Sequence, residues 1–168
     1  MLIYHPIHDI NHCIYRMLLI TESSANEKFG WDVFRLTDFY ILFPAMLKTI
    51  SPFPAELRPF KKILMDMPDA YELIPNSKRV LFELEEIQLT AMQNLIAKGL
   101  IDSERFKDGV VSRTELKIPN KIVSTIEADQ KTKQEWFRFA VNELPLVEFL
   151  GRKGLKARSQ LMEYRYDG

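Results

Sequence analysis

The chain has 168 residues, of which 46% are hydrophobic and 11% aromatic, so it can bury a core and is not a disordered segment. Its 23 basic residues are balanced by 23 acidic ones, which argues against general attraction to nucleic acid or to a membrane. The single cysteine excludes an internal disulfide and predicts a reducing cytoplasm as the setting. No secretion leader is recognisable, and the most apolar run, residues 39–50, is shorter than the roughly 20 residues that span a bilayer.

The first third of the chain predicts two helices. Asp9 is a good N-cap for a helix over residues 10–22, and a loop over 22–30 ends in Gly30. A second helix is expected over residues 31–50, with a kink near Tyr40 because Pro44 removes a backbone donor. Its sequence is apolar on nearly every side from Leu36 onward, which is typical of a central buried helix. The apolar stripe of the first helix consists of Ile10, Ile14, Met17 and Leu18.

The middle of the chain predicts a shorter helix over 55–65, a turn-rich link and a helical stretch over 77–102. Whether this stretch is one helix or two with a break near residues 85–87 is left open, and Gly99 is expected just past its end. In residues 103–118 the apolar residues no longer follow helical spacing and instead flank a Lys-Asp-Gly turn, which predicts a β-hairpin. The apolar residues flanking that turn are Phe106, Val110, Val111, Leu116 and Ile118.

Two further helices are expected after Pro119. The sequence does not decide whether the final segment, from Gly151, is a strand, a short helix or a tail. The buried stripe of these helices consists of Trp136, Phe137, Ala140 and Leu144. The element order predicts a mostly α (α+β) fold: a winged helix-turn-helix core with a β-hairpin wing and extra N- and C-terminal helices. We expect an N-terminal helix plus winged-helix core over residues 1–118, and a C-terminal helical arm with a basic tail over 119–168.

A winged helix usually reads DNA, which requires cations for phosphates and Arg, Asn or Gln for base edges. The expected recognition helix, residues 86–98, contributes only one cation, Lys98, and the carboxylates at its start would repel a phosphate backbone; these are Glu83, Glu85 and Glu86. Its polar candidates are Gln88, Thr90, Gln93 and Asn94. The wing cations Arg105, Lys107 and Arg113 face an equal number of acids in Glu104, Asp108 and Glu115. Because phosphate neutralisation supplies most nonspecific affinity, a protein-binding winged helix is the favoured interpretation.

The basic residues are concentrated near the C-terminus. Residues 151–168 hold five cations against two carboxylates, a net of +3, whereas residues 1–150 hold 18 against 21, a net of −3. The cluster consists of Arg152, Lys153, Lys156 and Arg158. Two roles for the cluster are left open: a solvated arm, or a contact for DNA or an acidic partner. In the second role, Tyr164 and Tyr166 would anchor the contact.

All three histidines and the cysteine lie within residues 5–13, as His5, His8, His12 and Cys13. A zinc site needs four converging ligands, but His8 precedes the helix cap, and Cys13 is rotated about 100° from His12. The histidines are therefore expected to cap and pack, and Cys13 to be a small buried hydrophobe. The glycines form no phosphate-binding loop. No catalytic, cofactor-binding or metal residue is predicted, and the chain is not expected to be an enzyme.

Three segments resemble the small middle component of bacterial ABC-three-component systems, the group that includes Lamassu-type anti-phage defence. They are YHPIHDINHCIYRMLLI, RLTDFYILFPAMLKTI and LEEIQLTAMQNLIAKGLID. The resemblance implies a cytoplasmic bacterial adaptor between an SMC-like or ABC-type ATPase and an effector such as a nuclease. It allows DNA contact through the complex, and it implies neither a membrane nor a small-molecule substrate. A winged-helix DNA-binding transcriptional regulator is the alternative, and a metal-dependent hydrolase built on the histidines is a remote third.

Overall fold

The computed structural model describes residues 6–69, 74 and 76–163. It is mostly helical, as predicted from the sequence. The α-helices are α1 (Ile10–Ser23), α2 (Trp31–Leu42), α3 (Lys61–Met65), α4 (Ser77–Ala97), α5 (Ser103–Lys107), α6 (Asn120–Ala128), α7 (Glu135–Arg138) and α8 (Leu155–Ser159). Two short strands, β1 (Lys28–Gly30) and β2 (Val110–Ser112), form an antiparallel pair. No helix within the described ranges combines the length and apolar character that crossing a bilayer requires.

The helix α2 is the centre of the core. Every residue from Val33 to Ile41 is buried, which confirms the expectation of a central buried helix. The helix ends at Leu42 and does not continue through a kink to residue 50. Phe43 leaves the helical region, with φ −129° and ψ 72°, because a residue that precedes proline is disfavoured there. Pro44 then begins a 3-10 helix, Pro44–Thr49.

The helices α1 and α4 pack along one another and against α2. Asp9 caps α1, since its carboxylate accepts the amide of His12 at 3.1 Å. The stripe predicted for α1 is confirmed at Met17 and Leu18, which are buried, but Ile10 is 39% exposed. The stretch after residue 77 is a single helix, which resolves the choice left open by the sequence.

Gly99 ends the chain's longest helix as predicted. Its φ of +76° is a left-handed conformation that favours glycine. The Gly99 amide donates to Ile96 O at 2.9 Å and the Leu100 amide to Leu95 O at 3.0 Å, which together make a Schellman motif.

The β-hairpin predicted within residues 103–118 is wrong. Residues Ser103–Lys107 are helical because the Asp102 carboxylate caps them, accepting the amide of Arg105 at 2.9 Å. The partner of β2 is the distant strand β1, with Phe29 opposite Val111. Ile101 and Arg113 form only an isolated antiparallel bridge.

The C-terminal third closes over α2. The helices predicted after Pro119 are confirmed as α6 and as α7 continued by a π-helix, Phe139–Glu143, and a 3-10 turn, Leu144–Leu146. Phe139 packs on Phe53 and Phe60, with ring centroids 6.2 Å and 5.5 Å apart. Of the predicted stripe, Phe137, Ala140 and Leu144 are buried, while Trp136 is half-buried. The division at residue 118 stays a prediction.

Candidate partner-binding surfaces

The histidine segment belongs to the start of α1. His8 lies in the 3-10 turn Pro6–His8, and His12 contributes its amide to the Asp9 cap; His5 lies outside the described residues. Cys13 is fully buried, and burial, with the nearby Asp38, raises the pKa of its thiol to about 12. Within the described part of the chain, no three His, Cys, Asp or Glu side chains are grouped to hold a metal ion.

A buried polar network joins the three central helices. Arg16 of α1 donates to the Asp38 carboxylate of α2 through Nε at 2.7 Å and Nη2 at 3.2 Å. Gln88 of α4 donates from Nε2 to Asp38 Oδ2 at 2.9 Å and to the Arg35 carbonyl at 3.1 Å. Arg35 returns a hydrogen bond from Nε to Gln88 Oε1 at 3.0 Å. Arg16 is 1% exposed, and Asp38 and Gln88 are 0% exposed.

This network fixes the relative positions of α1, α2 and α4, because each buried charge is satisfied from another helix. Burial lowers the pKa of Arg16, but pairing with Asp38 outweighs that effect and leaves the pKa raised, so the guanidinium stays charged. One atom of the network, Arg16 Nη1, has no partner among the described residues. The four side chains come from the three segments that carry the family resemblance.

Gln88 is therefore not a base-reading residue, which corrects the sequence-based expectation. Its side chain is inside the protein, and its amide is used by Asp38 and Arg35. Gln93 and Asn94 are exposed. Thr90 is exposed as well, with its hydroxyl donating to the Glu86 carbonyl at 2.9 Å.

The cations predicted on the wing lie around α5 and β2, and each has a partner in the chain. Arg113 is the most constrained: it pairs with Glu22 at 3.2 Å and donates to the Leu116 carbonyl at 2.8 Å. Lys107 pairs with Glu104 at 3.0 Å. Arg105 reaches Ser112 Oγ at 3.5 Å.

One exposed face of α4 is apolar and acidic. Phe82 and Leu89 are 40% and 39% exposed. Together with Glu86 and Gln93 they are spaced four, three and four residues apart, which places them on one stripe of the helix. Glu83 on this helix pairs with Arg79 at 2.9 Å, and Glu85 approaches Arg35 at 3.9 Å. Glu86 makes no ion pair within the described ranges.

Three of the four residues of the basic cluster near the C-terminus lie in a closed loop and not in a free arm. The loop, residues 148–156, is called the GRKG loop below. Its ends are joined by backbone hydrogen bonds from Leu155 N to Glu148 O at 2.7 Å and from Lys156 N to Phe149 O at 3.0 Å. At its tip, Gly154 N donates to Gly151 O at 3.1 Å.

Gly154 is required for this closure. A Cβ at that position would lie 2.3 Å from the Leu150 carbonyl oxygen and 2.4 Å from that of Phe149. Gly151 has φ +90°, which also favours glycine. The two glycines that bracket the Arg-Lys pair in the sequence therefore shape the loop that presents it.

Arg158 has a different role from the other three predicted cations. It is half-buried and donates to the carbonyls of Lys153 and Pro52, both at 2.5 Å. Its own carbonyl accepts the Ser51 amide at 3.0 Å, so Arg158 fastens the loop to residues 51–52. Arg152, Lys153 and Lys156 are exposed. Tyr164 and Tyr166, predicted as anchors, lie outside the described residues.

The C-terminal segment meets α2 and α4 at a cleft of about 170 Å³. Lys156 contributes a cation there, and Asp32 and Glu85 contribute carboxylates. The other lining residues are Arg35, Leu81, Phe82, Leu161 and Met162. Phe82, on the apolar and acidic face of α4, and Lys156 of the GRKG loop thus line the same cleft.

The fold and these surfaces are those of a small, mostly helical binding protein. Its buried polar network joins the central helices, and its surface carries charged and apolar groups that can contact a partner. A family comparison agrees with that class: residues 2–167 match the family described as ABC-three component (ABC-3C) system Middle Component 5. The chain belongs to this family. Comparison with curated proteins and with solved structures returned no match.

Proposed function

We propose that this middle component is a non-catalytic adaptor that joins an ABC-type or SMC-like ATPase to an effector subunit, such as a nuclease, in a bacterial anti-phage system of Lamassu type. The observation that carries the proposal is the family match over residues 2–167, since a middle component acts with the other components of its system. The cytoplasm is the proposed location, because the ATPase and any foreign DNA would be found there.

The element order supports a winged-helix interpretation of the core. The chain runs α1, β1, α2, α4 and then β2, with residues 43–76 inserted between α2 and α4. The bridge between Ile101 and Arg113 and the hydrogen bond from Asp102 N to Ser112 O at 2.9 Å close a reduced wing whose tip is α5. Small winged-helix subunits of SMC complexes bind protein partners, and the adaptor would do so by analogy.

The apolar and acidic face of α4 is the surface that we assign to the ATPase. Phe82 and Leu89 can bury against apolar side chains of a partner helix, while Glu86 can pair with a cation at the edge of the contact. Phe82 also borders the cleft that Lys156 lines, which places this face beside the C-terminal segment.

The alternative, a DNA-binding regulator, has less support. Gln88 is buried, and Glu86 would repel phosphates at the exposed face of α4. The wing cations Lys107 and Arg113 pair with carboxylates of this chain. A reader of DNA would need cations that are free to neutralise phosphates on that side.

Co-expression of the three subunits of the system tests the adaptor role. We expect a tagged ATPase to capture the effector only when the middle component is present. Leu89→Ser should lower capture of the middle component by about tenfold, while Met65→Ser, which alters an apolar side chain 61% exposed on α3, should leave it unchanged. Equal capture of the effector without the middle component would contradict the proposal.

A further inference from the structure

The chain that enters the GRKG loop exposes two large apolar side chains. Burial alternates along residues 146–150: Leu146, Glu148 and Leu150 are exposed, Val147 is buried and Phe149 is half-buried. Leu146 and Leu150 are 69% and 64% exposed, so this segment presents two large apolar groups to solvent.

The cations that follow are not neutralised by the protein itself. Arg152, Lys153 and Lys156 make no ion pair within the described ranges, in contrast to Lys107, Arg113 and Arg79. Glu148 is the acidic member of the loop, so three cations stand against one carboxylate. The loop therefore carries a net positive charge next to exposed leucines.

The loop is also held in one shape before any partner arrives. Its backbone hydrogen bonds, the close fit at Gly154 and the two hydrogen bonds from the Arg158 guanidinium fix the segment that bears the cations. A preformed surface loses less conformational freedom on binding than a free arm does. This construction favours a docking role over that of a solvated tail.

A protein partner fits this surface better than DNA does. Phosphate contacts would use the cations but would leave Leu146 and Leu150 in water. An acidic amphipathic segment uses both features, because its apolar side chains cover the leucines and its carboxylates pair with Arg152 and Lys153 at the edge.

We infer that the GRKG loop, together with Leu146, is a docking surface for an acidic amphipathic segment of a partner subunit. The inference rests on the proposed adaptor function and adds the site and the chemistry of one of its contacts. The acidic face of α4 and this basic surface then give the adaptor two contacts of opposite charge, which suits a subunit that holds two different partners.

The test uses the full chain co-expressed with the ATPase and effector of its own system. We expect Arg152→Glu/Lys153→Glu to lower capture of one subunit by about tenfold or more, with the other subunit still captured. Leu146→Ser/Leu150→Ser should lower capture of the same subunit. The charge-conserving variant Arg152→Lys/Lys153→Arg should retain capture, and unchanged thermal unfolding of all three variants serves as the folding control.

The outcomes separate the two proposals. If the wild-type chain captures both subunits and the double reversal captures both equally well, the docking surface is wrong and the adaptor function stands. If the wild-type chain captures neither subunit, both proposals fail. A gel shift of duplex DNA by the wild-type chain that the double reversal abolishes, with subunit capture unchanged, would overturn the protein-docking inference in favour of DNA.

Discussion

Arg16 in the interior and Arg152 at the GRKG loop carry the same guanidinium group but differ in their surroundings. Arg16 is 1% exposed and paired with Asp38 at 2.7 Å, so its charge is used to join helices. Arg152 is exposed and makes no ion pair within the described residues. The difference teaches that a cation's partners inside the chain, more than its position in the sequence, decide whether it stabilises the fold or can bind another molecule.

The largest effect is expected for Asp38→Asn, which tests the buried ion pair between Arg16 and Asp38. This change leaves the buried charge of Arg16 without its counter-ion, which typically costs about 3–5 kcal/mol. We expect a loss of that size in the free energy of unfolding, measured by urea denaturation. A loss below about 1 kcal/mol would contradict the central role of the network.

The double variant Arg16→Met/Asp38→Leu is the control for that measurement. Replacing both members of a buried ion pair by apolar residues of similar volume is often neutral, so the double variant should be more stable than Asp38→Asn alone. Equal losses in both variants would mean that packing, and not the unpaired charge, causes the effect.

Gly154→Ala tests whether the shape of the GRKG loop matters to its binding. The added Cβ would lie 2.3 Å from the Leu150 carbonyl oxygen, so the loop must open. We expect a stability loss of about 1–3 kcal/mol and reduced capture of the partner subunit, although no charge is altered.

Gly30→Ala is the matched control, because a Cβ there has no atom within 4 Å and the φ of −64° is ordinary. Its stability should change by no more than about 0.5 kcal/mol. Normal capture by Gly154→Ala would show that the closed shape is not needed.

The smallest effect is expected at the pair between Glu22 and Arg113. The side chains are 35% and 17% exposed, and pairs near the surface contribute about 0.2–1 kcal/mol. Glu22→Gln should therefore lower stability by that amount in dilute buffer and by less in high salt. It should not create DNA binding, because Arg113 keeps its hydrogen bond to the Leu116 carbonyl.

Local signals in the sequence predicted much of the fold. The Asp9 cap, the buried character of α2 and the end of α4 at Gly99 each depend on residues close in the chain. The hairpin prediction failed because the partner of β2 is β1, about 80 residues earlier in the sequence. A short strand carries no information about so distant a partner.

The candidate surfaces were predicted less completely. The basic cluster was visible in the sequence, but the separate role of Arg158 depends on its contact with Pro52, which spacing does not reveal. The buried network had a usable signal, since Arg16 and Asp38 are charged residues inside apolar helical runs, and such residues need a partner. Gln88 has polar neighbours in the sequence, so nothing marks it as buried, and the sequence predicted it on the exposed face of the helix.

Lysine acetylation, followed by mass spectrometry of the free chain and of the assembled three-subunit complex, tests most directly whether the middle component meets a partner through the GRKG loop. We expect Lys153 and Lys156 to become protected in the complex, while Lys107, which pairs with Glu104 within α5, keeps its reactivity. Protection of Lys107 with Lys153 and Lys156 unchanged would contradict the account and would place the interface at the wing.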